Sequence, residues 1–153
     1  MTIAVACDHA GFALKEPVLE AVTAMGHAAL DLGTHSTDAV DYPDYAEKIA
    51  HAIAEKRADR AILLCGSGAG ICVAANKFRG IRAATCHDTF SAHQAVEDDA
   101  VNTLCIGARI IGSALAIEVV RTFLNAQFSG ADRHVRRLHK VMQFEADSHG
   151  TVK

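Results

Sequence analysis

Short apolar runs alternate along this chain with longer stretches of helical periodicity, and that alternation restricts the fold more than any other feature. The runs are "TIAVAC" (2–7), "AALDL" (28–32), "RAILLC" (60–65), "IRAATC" (81–86) and "TLCIG" (103–107). Each is of strand length and suits a buried pleated surface. Between them, Leu14, Val18, Val22 and Met25 form one helical stripe that ends at Gly26, and Tyr45, Ile49 and Ile53 form another before the charged "EKRAD". Strands separated by helices read as βαβ units with a parallel sheet. After the last run, "GSALAIEVVRTFLNAQF" (112–128) is apolar nearly all round, and "SGAD" breaks the chain before a second helical pattern, "RHVRRLHKVMQFEA". The expectation is one domain over residues 1–153, a three-layer α/β/α sandwich on five parallel strands with an extended C-terminal helix.

Composition excludes several function classes. Half of the 153 residues are hydrophobic, 22% are charged and the formal charge is −3, so the chain reads neither as disordered nor as a general polyanion binder, and no nucleic-acid partner is expected. Nowhere does an apolar stretch reach about 18 residues, and the N-terminus lacks the pattern of a secretory leader, so a cytoplasmic protein without membrane attachment is expected. The five cysteines, Cys7, Cys65, Cys72, Cys86 and Cys105, are an odd set lying mostly inside or at the ends of apolar runs. Most of them read as small buried hydrophobes in a reducing compartment.

In such folds ligands gather at the carboxyl ends of the strands. Four of the five runs end in "CDHAG", "CGSGAG", "CHD" and "GAR", all polar or glycine-bearing. The richest is "LLCGSGAGICVAANK", where Gly66, Gly68 and Gly70 allow a tight turn whose N–H groups point inward, ahead of a helix N-terminus. Cys65 stands just before this anion hole, where the field makes its side chain a usable base or nucleophile. A dinucleotide site needs G-x-G-x-x-G, but these glycines read G-x-G-x-G, and the nearest acidic residue, Asp88, lies beyond the next strand. A cysteine phosphatase loop closes with an arginine six positions on, where Ile71 stands. What remains is an oxyanion stabilised beside a carbonyl, with Cys65 as base and Ser67 plus the backbone N–H groups as donors. Arg133 and Arg137, four apart on the last helix, share a face and can present two guanidinium forks to one phosphate.

"CDHAGFALK", "DYPDYA", "CGSGAGICVAANK", "GIRAA", "GARIIG" and "RHVRR" follow one another over almost the whole chain, and together they resemble the ribose-5-phosphate isomerase B family, which includes galactose- and allose-6-phosphate isomerases. The resemblance implies a Rossmann-like fold and aldose–ketose isomerisation of a phosphorylated sugar, with neither metal nor other cofactor. It also implies a homodimer with active sites between subunits, a tetramer being the alternative assembly. Cys65 matches the family's base, acting through an enediolate whose oxyanion is held by Ser67 and the backbone of Gly66, Gly68, Ala69 and Gly70. Asp8 and His9 match residues that contact sugar hydroxyls and phosphate, and Tyr42 matches an aromatic at the substrate rim. Arg133 and Arg137, with Arg109, match the phosphate ligands, some of them supplied by the partner subunit. Some members use a glutamate close to Cys72 in place of the cysteine. Arg136 and Lys140 fall outside the motif and are expected to face solvent.

One segment departs from the resemblance. Members of the cysteine type carry a ring-opening histidine after strand four, followed by an asparagine or aspartate that binds substrate. Here "AVEDDAVN" puts Asp98 in the histidine's place and Asp99 after it. A carboxyl group with an ordinary pKa of about 3.9 is mostly ionised at neutral pH and is a poor general acid. His87 and His93 in the same stretch read as surface histidines. Interconversion of ribose 5-phosphate and ribulose 5-phosphate is the first expectation; the alternatives are a tetrose 4-phosphate, which needs no ring opening, a hexose 6-phosphate, and a non-catalytic phosphosugar-binding subunit that needs a paralogous partner.

Overall fold

The computed structural model describes residues 1–149. Its elements are β1 (Thr2–Cys7), α1 (Phe12–Ala24), β2 (Ala28–Asp31), α2 (Tyr42–Ala54), β3 (Arg60–Cys65), α3 (Ala69–Ala75), β4 (Ala83–Thr85), α4 (Thr89–Asp99), β5 (Thr103–Gly107), α5 (Ser113–Asn125) and α6 (Asp132–His149). The five strands form one parallel sheet in the order β2-β1-β3-β5-β4. This is the expected three-layer α/β/α architecture, ending in an 18-residue helix.

Strand alternation divides the core in two. Ile3, Val5, Ile62, Leu64, Leu104 and Ile106 face the layer of α1, α4 and α5, where Phe123 is fully buried. Ala4, Ala6, Ala61, Leu63, Cys65 and Cys105 face α2 and α3. The many alanines on that second face, matched by Ala46 and Ala50 of α2, let the helix lie close to the sheet.

Two cations, Lys15 buried and Arg60 half-buried, tie the layers to the strands. Lys15 of α1 is 5% exposed, and its ammonium donates to Asp31 Oδ2 and to the Thr34 carbonyl, each at 2.8 Å. Arg60 donates to the carbonyls of Phe123 at 2.6 Å and Ala126 at 2.9 Å, satisfying the end of α5.

The run 81–86 shortens to a three-residue strand because β4 lies at the sheet edge. Its first amide is taken by a side chain, with the Arg82 N–H donating to Asn102 Oδ1 at 2.9 Å. The free edge of β4 is closed by Asn76, whose side chain accepts from the Ala83 N–H at 2.8 Å and donates to the Ala83 carbonyl at 2.9 Å. A short edge strand covered by side chains is protected from pairing with another chain.

The strand ends that converge on the second half of the sheet approach too closely for side chains. A Cβ at Gly107 would lie 2.5 Å from the Ser67 carbonyl carbon, and one at Gly11 would lie 2.3 Å from the Leu64 oxygen. Gly107→Ala therefore forces the 66–70 turn away from β5, and we expect a loss of about 1–3 kcal/mol in unfolding free energy, read from urea denaturation.

Candidate active site

A crevice of about 390 Å³ opens where β1, β3 and β5 end, and Asp8, His9, Tyr42, Cys65, Gly66, Ser67, Gly70 and Arg109 line it with Ala10 and Ile110. Three loops and the start of one helix bring these residues together. Asp8, 5% exposed, turns the chain after β1 by accepting at Oδ1 from the N–H groups of Ala10 and Gly11, both at 2.9 Å. His9 is anchored through Nδ1, 3.2 Å from both the N–H and the carbonyl of Val40, so Nε2 is the nitrogen left for a ligand.

The turn after β3 is built around the cysteine. The Gly68 N–H donates to Cys65 Sγ at 3.1 Å, and Gly68 takes a left-handed φ of 80° that a side chain rarely adopts. That conformation folds the turn back onto the sulfur, and the sulfur itself is 5% exposed at the crevice floor. The Ala69 N–H reaches Ser67 Oγ at 3.3 Å. In the first turn of α3 the N–H of Gly70, which lines the crevice, has no intrahelical acceptor and remains as a donor.

Two walls close on the turn. The Tyr42 ring packs over Gly70, where an added Cβ would meet its Cζ at 3.0 Å, and the Arg109 guanidinium packs over Gly66, where a Cβ would meet Nη1 at 3.3 Å. Both glycines thus admit a large side chain next to the turn. The loop carrying Arg109 is itself tied to β3, its N–H donating to the Gly66 carbonyl at 3.0 Å and that of Ala108 to the Cys65 carbonyl at 2.8 Å.

Four residues expected at the site do not line this crevice: Asp98, Asp99, Arg133 and Arg137. Asp98 and Asp99 end α4, and the two arginines lie exposed on α6. Arg136 and Lys140 are exposed as well. Gly68, buried within the turn, and Ala69, exposed at the head of α3, also lie outside the lining.

Sequence reasoning missed two histidines here. His134 is 3% exposed, with Nδ1 2.7 Å from Ser129 Oγ and Nε2 3.3 Å from Asp98 Oδ1. The flanking arginines of "RHVRR" drew the reading to charge, and only helix packing shows that the histidine between them points inward. His87, read as a surface histidine, is half-buried and accepts at Nε2 from the Gly107 N–H at 2.8 Å. It thereby holds the strand end against which the 66–70 turn packs.

Comparison with known proteins agrees with this geometry. Residues 3–141 match the family described as Ribose/Galactose Isomerase. Ribose-5-phosphate isomerase B of Escherichia coli (strain K12) is 41% identical, covering 94% of this chain and 95% of that one. D-erythrulose-4-phosphate isomerase of Pectobacterium atrosepticum is 40% identical over 85% of this chain and 86% of that protein. The solved structure of Clostridium thermocellum ribose-5-phosphate isomerase B superposes with a TM-score of 0.93 at 39% identity, covering 97% and 99% of the two chains. The chain belongs to the ribose/galactose isomerase family, and it is a sugar-phosphate isomerase of the aldose–ketose kind.

Proposed function

We propose that this isomerase interconverts ribose 5-phosphate and ribulose 5-phosphate in the cytoplasm, with Cys65 as the base. The observation that carries the reading is the turn folded around Cys65: a sulfur at the crevice floor receives an amide hydrogen bond, and the free amide of the next turn lies beside it. In the open-chain aldose, Cys65 takes the proton from C2, and negative charge develops on the carbonyl oxygen at C1. Ser67 and the amide of Gly70 stabilise the resulting enediolate oxygens. A proton then passes from the C2 hydroxyl to the C1 oxygen, and return of the carbon-bound proton from Cys65 to C1 gives the ketose, so the step is redox-neutral and the base is regenerated. His9 Nε2 and Asp8 Oδ2 are left to meet sugar hydroxyls, and Tyr42 closes the rim.

The remaining half of the site is proposed to come from a second copy of the chain. Arg133 and Arg137 share an exposed face of α6, and Val141, Met142 and Phe144 of the same helix are 53%, 49% and 69% exposed. Apolar side chains beside a basic face suit a homodimer in which α6 crosses to the partner, bringing both guanidinium groups to the substrate phosphate near Arg109.

A second reading, a tetrose 4-phosphate substrate, is favoured by the Asp98–His134 contact. Opening a pentose ring requires a proton for the ring oxygen. Asp98 instead faces the ring of the buried His134 at 3.3 Å and lies outside the crevice. A four-carbon sugar 4-phosphate cannot form a furanose, because the hydroxyl that would close it is esterified, and it needs no such acid. The similarity to a D-erythrulose-4-phosphate isomerase points the same way.

Cys65→Ala is expected to leave folding and phosphosugar binding nearly intact and to lower turnover by several orders of magnitude, because the base acts in the transition state. Turnover within about tenfold of the parent overturns the assignment. Isomerisation by the purified single chain also decides against a non-catalytic subunit. Arg137→Ala is expected to raise KM about ten- to hundredfold, as a charge-assisted contact contributes about 1.5–3 kcal/mol. Mixing Cys65→Ala with Arg137→Ala chains should restore activity through hybrid dimers; an unchanged KM in Arg137→Ala shows that α6 does not reach the site. Comparing kcat/KM for ribose 5-phosphate and erythrose 4-phosphate, before and after Asp98→His, separates the two substrates: a rise confined to the pentose identifies position 98 as the determinant.

A further inference from the structure

Two side chains at the end of the edge strand β4 hold the site turn from behind. Thr85 Oγ1 donates to the Gly68 carbonyl at 3.1 Å, and His87 Nε2 accepts from the Gly107 N–H at 2.8 Å. The second contact takes the place of a rung of the sheet. In the β4–β5 ladder Thr85 stands opposite Cys105, and the Cys86 N–H donates to the Cys105 carbonyl at 3.1 Å. If that parallel ladder continued, the Gly107 N–H would donate to the Cys86 carbonyl. It donates to the imidazole instead. A backbone N–H only donates, so Nε2 is the ring nitrogen without a proton.

The backbone that carries the ring is fixed on both sides. The Cys86 bond to β5 precedes it, and Asp88 after it caps α4, accepting from the Ser91 N–H at 2.7 Å. The Gly107 amide itself lies directly beneath the turn. A Cβ on Gly68 would sit 3.1 Å from the Gly107 nitrogen and 3.0 Å from Thr85 Cγ2, which leaves no room for a water between amide and turn. Gly68 in its turn donates to Cys65 Sγ at 3.1 Å. A part-buried N–H that loses its acceptor has to find another. Here the space for one comes only by moving Gly68, and with it the N–H that points at the sulfur.

We propose that His87 is a positioning residue for the isomerisation: by accepting from the Gly107 amide, its imidazole holds the 66–70 turn in the arrangement that serves the reacting carbons. The ring lies outside the crevice lining, so it acts through the backbone and not on the substrate. The assignment rests on the reading of that turn as the place where charge develops. The groups proposed to meet the rest of the sugar phosphate are anchored independently of His87. Asp8 is held by the N–H groups of Ala10 and Gly11, His9 by Val40, and the loop of Arg109 by the Cys65 and Gly66 carbonyls. Loss of the His87 contact is therefore felt in kcat and not in KM, because it disturbs groups that act in the transition state.

The test compares His87→Leu, which fills the space without accepting, with His87→Gln, whose side-chain oxygen reaches as far as Nε2. Steady-state kinetics of the full-length chain on ribose 5-phosphate and on erythrose 4-phosphate are combined with hydrogen exchange at the Gly107 amide. The expected result for His87→Leu is a kcat about ten- to hundredfold lower, with KM within about threefold of the parent and faster exchange at Gly107. His87→Gln recovers most of both. An unchanged kcat in folded His87→Leu overturns the proposal. Equal loss in the two variants overturns it as well, as does a change confined to KM, which places the ring on the substrate. Where His87→Leu does not fold, the nitrogen NMR spectrum of the parent histidines decides. The His87 ring, identified by its absence from His87→Gln, is expected to carry no proton on Nε2, and a proton there overturns the proposal. Failure of the underlying reading shows separately, as turnover retained in Cys65→Ala.

Discussion

The backbone contact between the 66–70 turn and the end of β5 is the constraint on which the rest of the molecule depends. Ser67 and Gly107 touch where a methyl group has no room, the Gly107 amide is held by His87, and the Gly68 carbonyl is held by Thr85. Parallel strands end in register here, and each contributes one loop to a common crevice. Any residue with a Cβ at the contact separates β5 from the turn, and with it the amides that face the substrate from the sulfur beneath them.

Polar groups in this protein are arranged to be satisfied without net charge. No buried side-chain nitrogen or oxygen among the described residues lacks a partner. Lys15 is paired in α1, Arg60 caps a helix end, and His134 carries a chain of contacts from Ser129 to Asp98. These fixed networks make the two helical layers rigid, so a small anion meets amides and guanidinium groups that are already placed. Preorganisation of this kind favours charge that develops during reaction over charge already present.

Within one chain the crevice holds only part of the residues that the proposed chemistry uses. It has the sulfur, the amides, one histidine and one arginine, while the basic face of α6 lies elsewhere with apolar residues beside it. The proposal of a shared site follows from that separation. It also explains why an 18-residue helix with a strongly polar face ends the fold without being packed into the core.

The layer order, the five strands and the glycine turn were legible in the sequence because each rests on local rules: apolar period, strand length and the conformational freedom of glycine. Cys65, Ser67, His9, Tyr42 and Arg109 were legible too, through motifs at strand ends. The strand order, with β5 inserted between β3 and β4, was not, since nothing local records which neighbours a strand chooses. Nor was the inward turn of His134 onto Asp98, because residues 36 positions apart are brought together only by packing. The sequence by itself determined which chemistry is available at each strand end. Tertiary structure decided which of those groups face one another, because side-chain distance across layers is set by how helices and sheet close-pack and by no pattern along the chain.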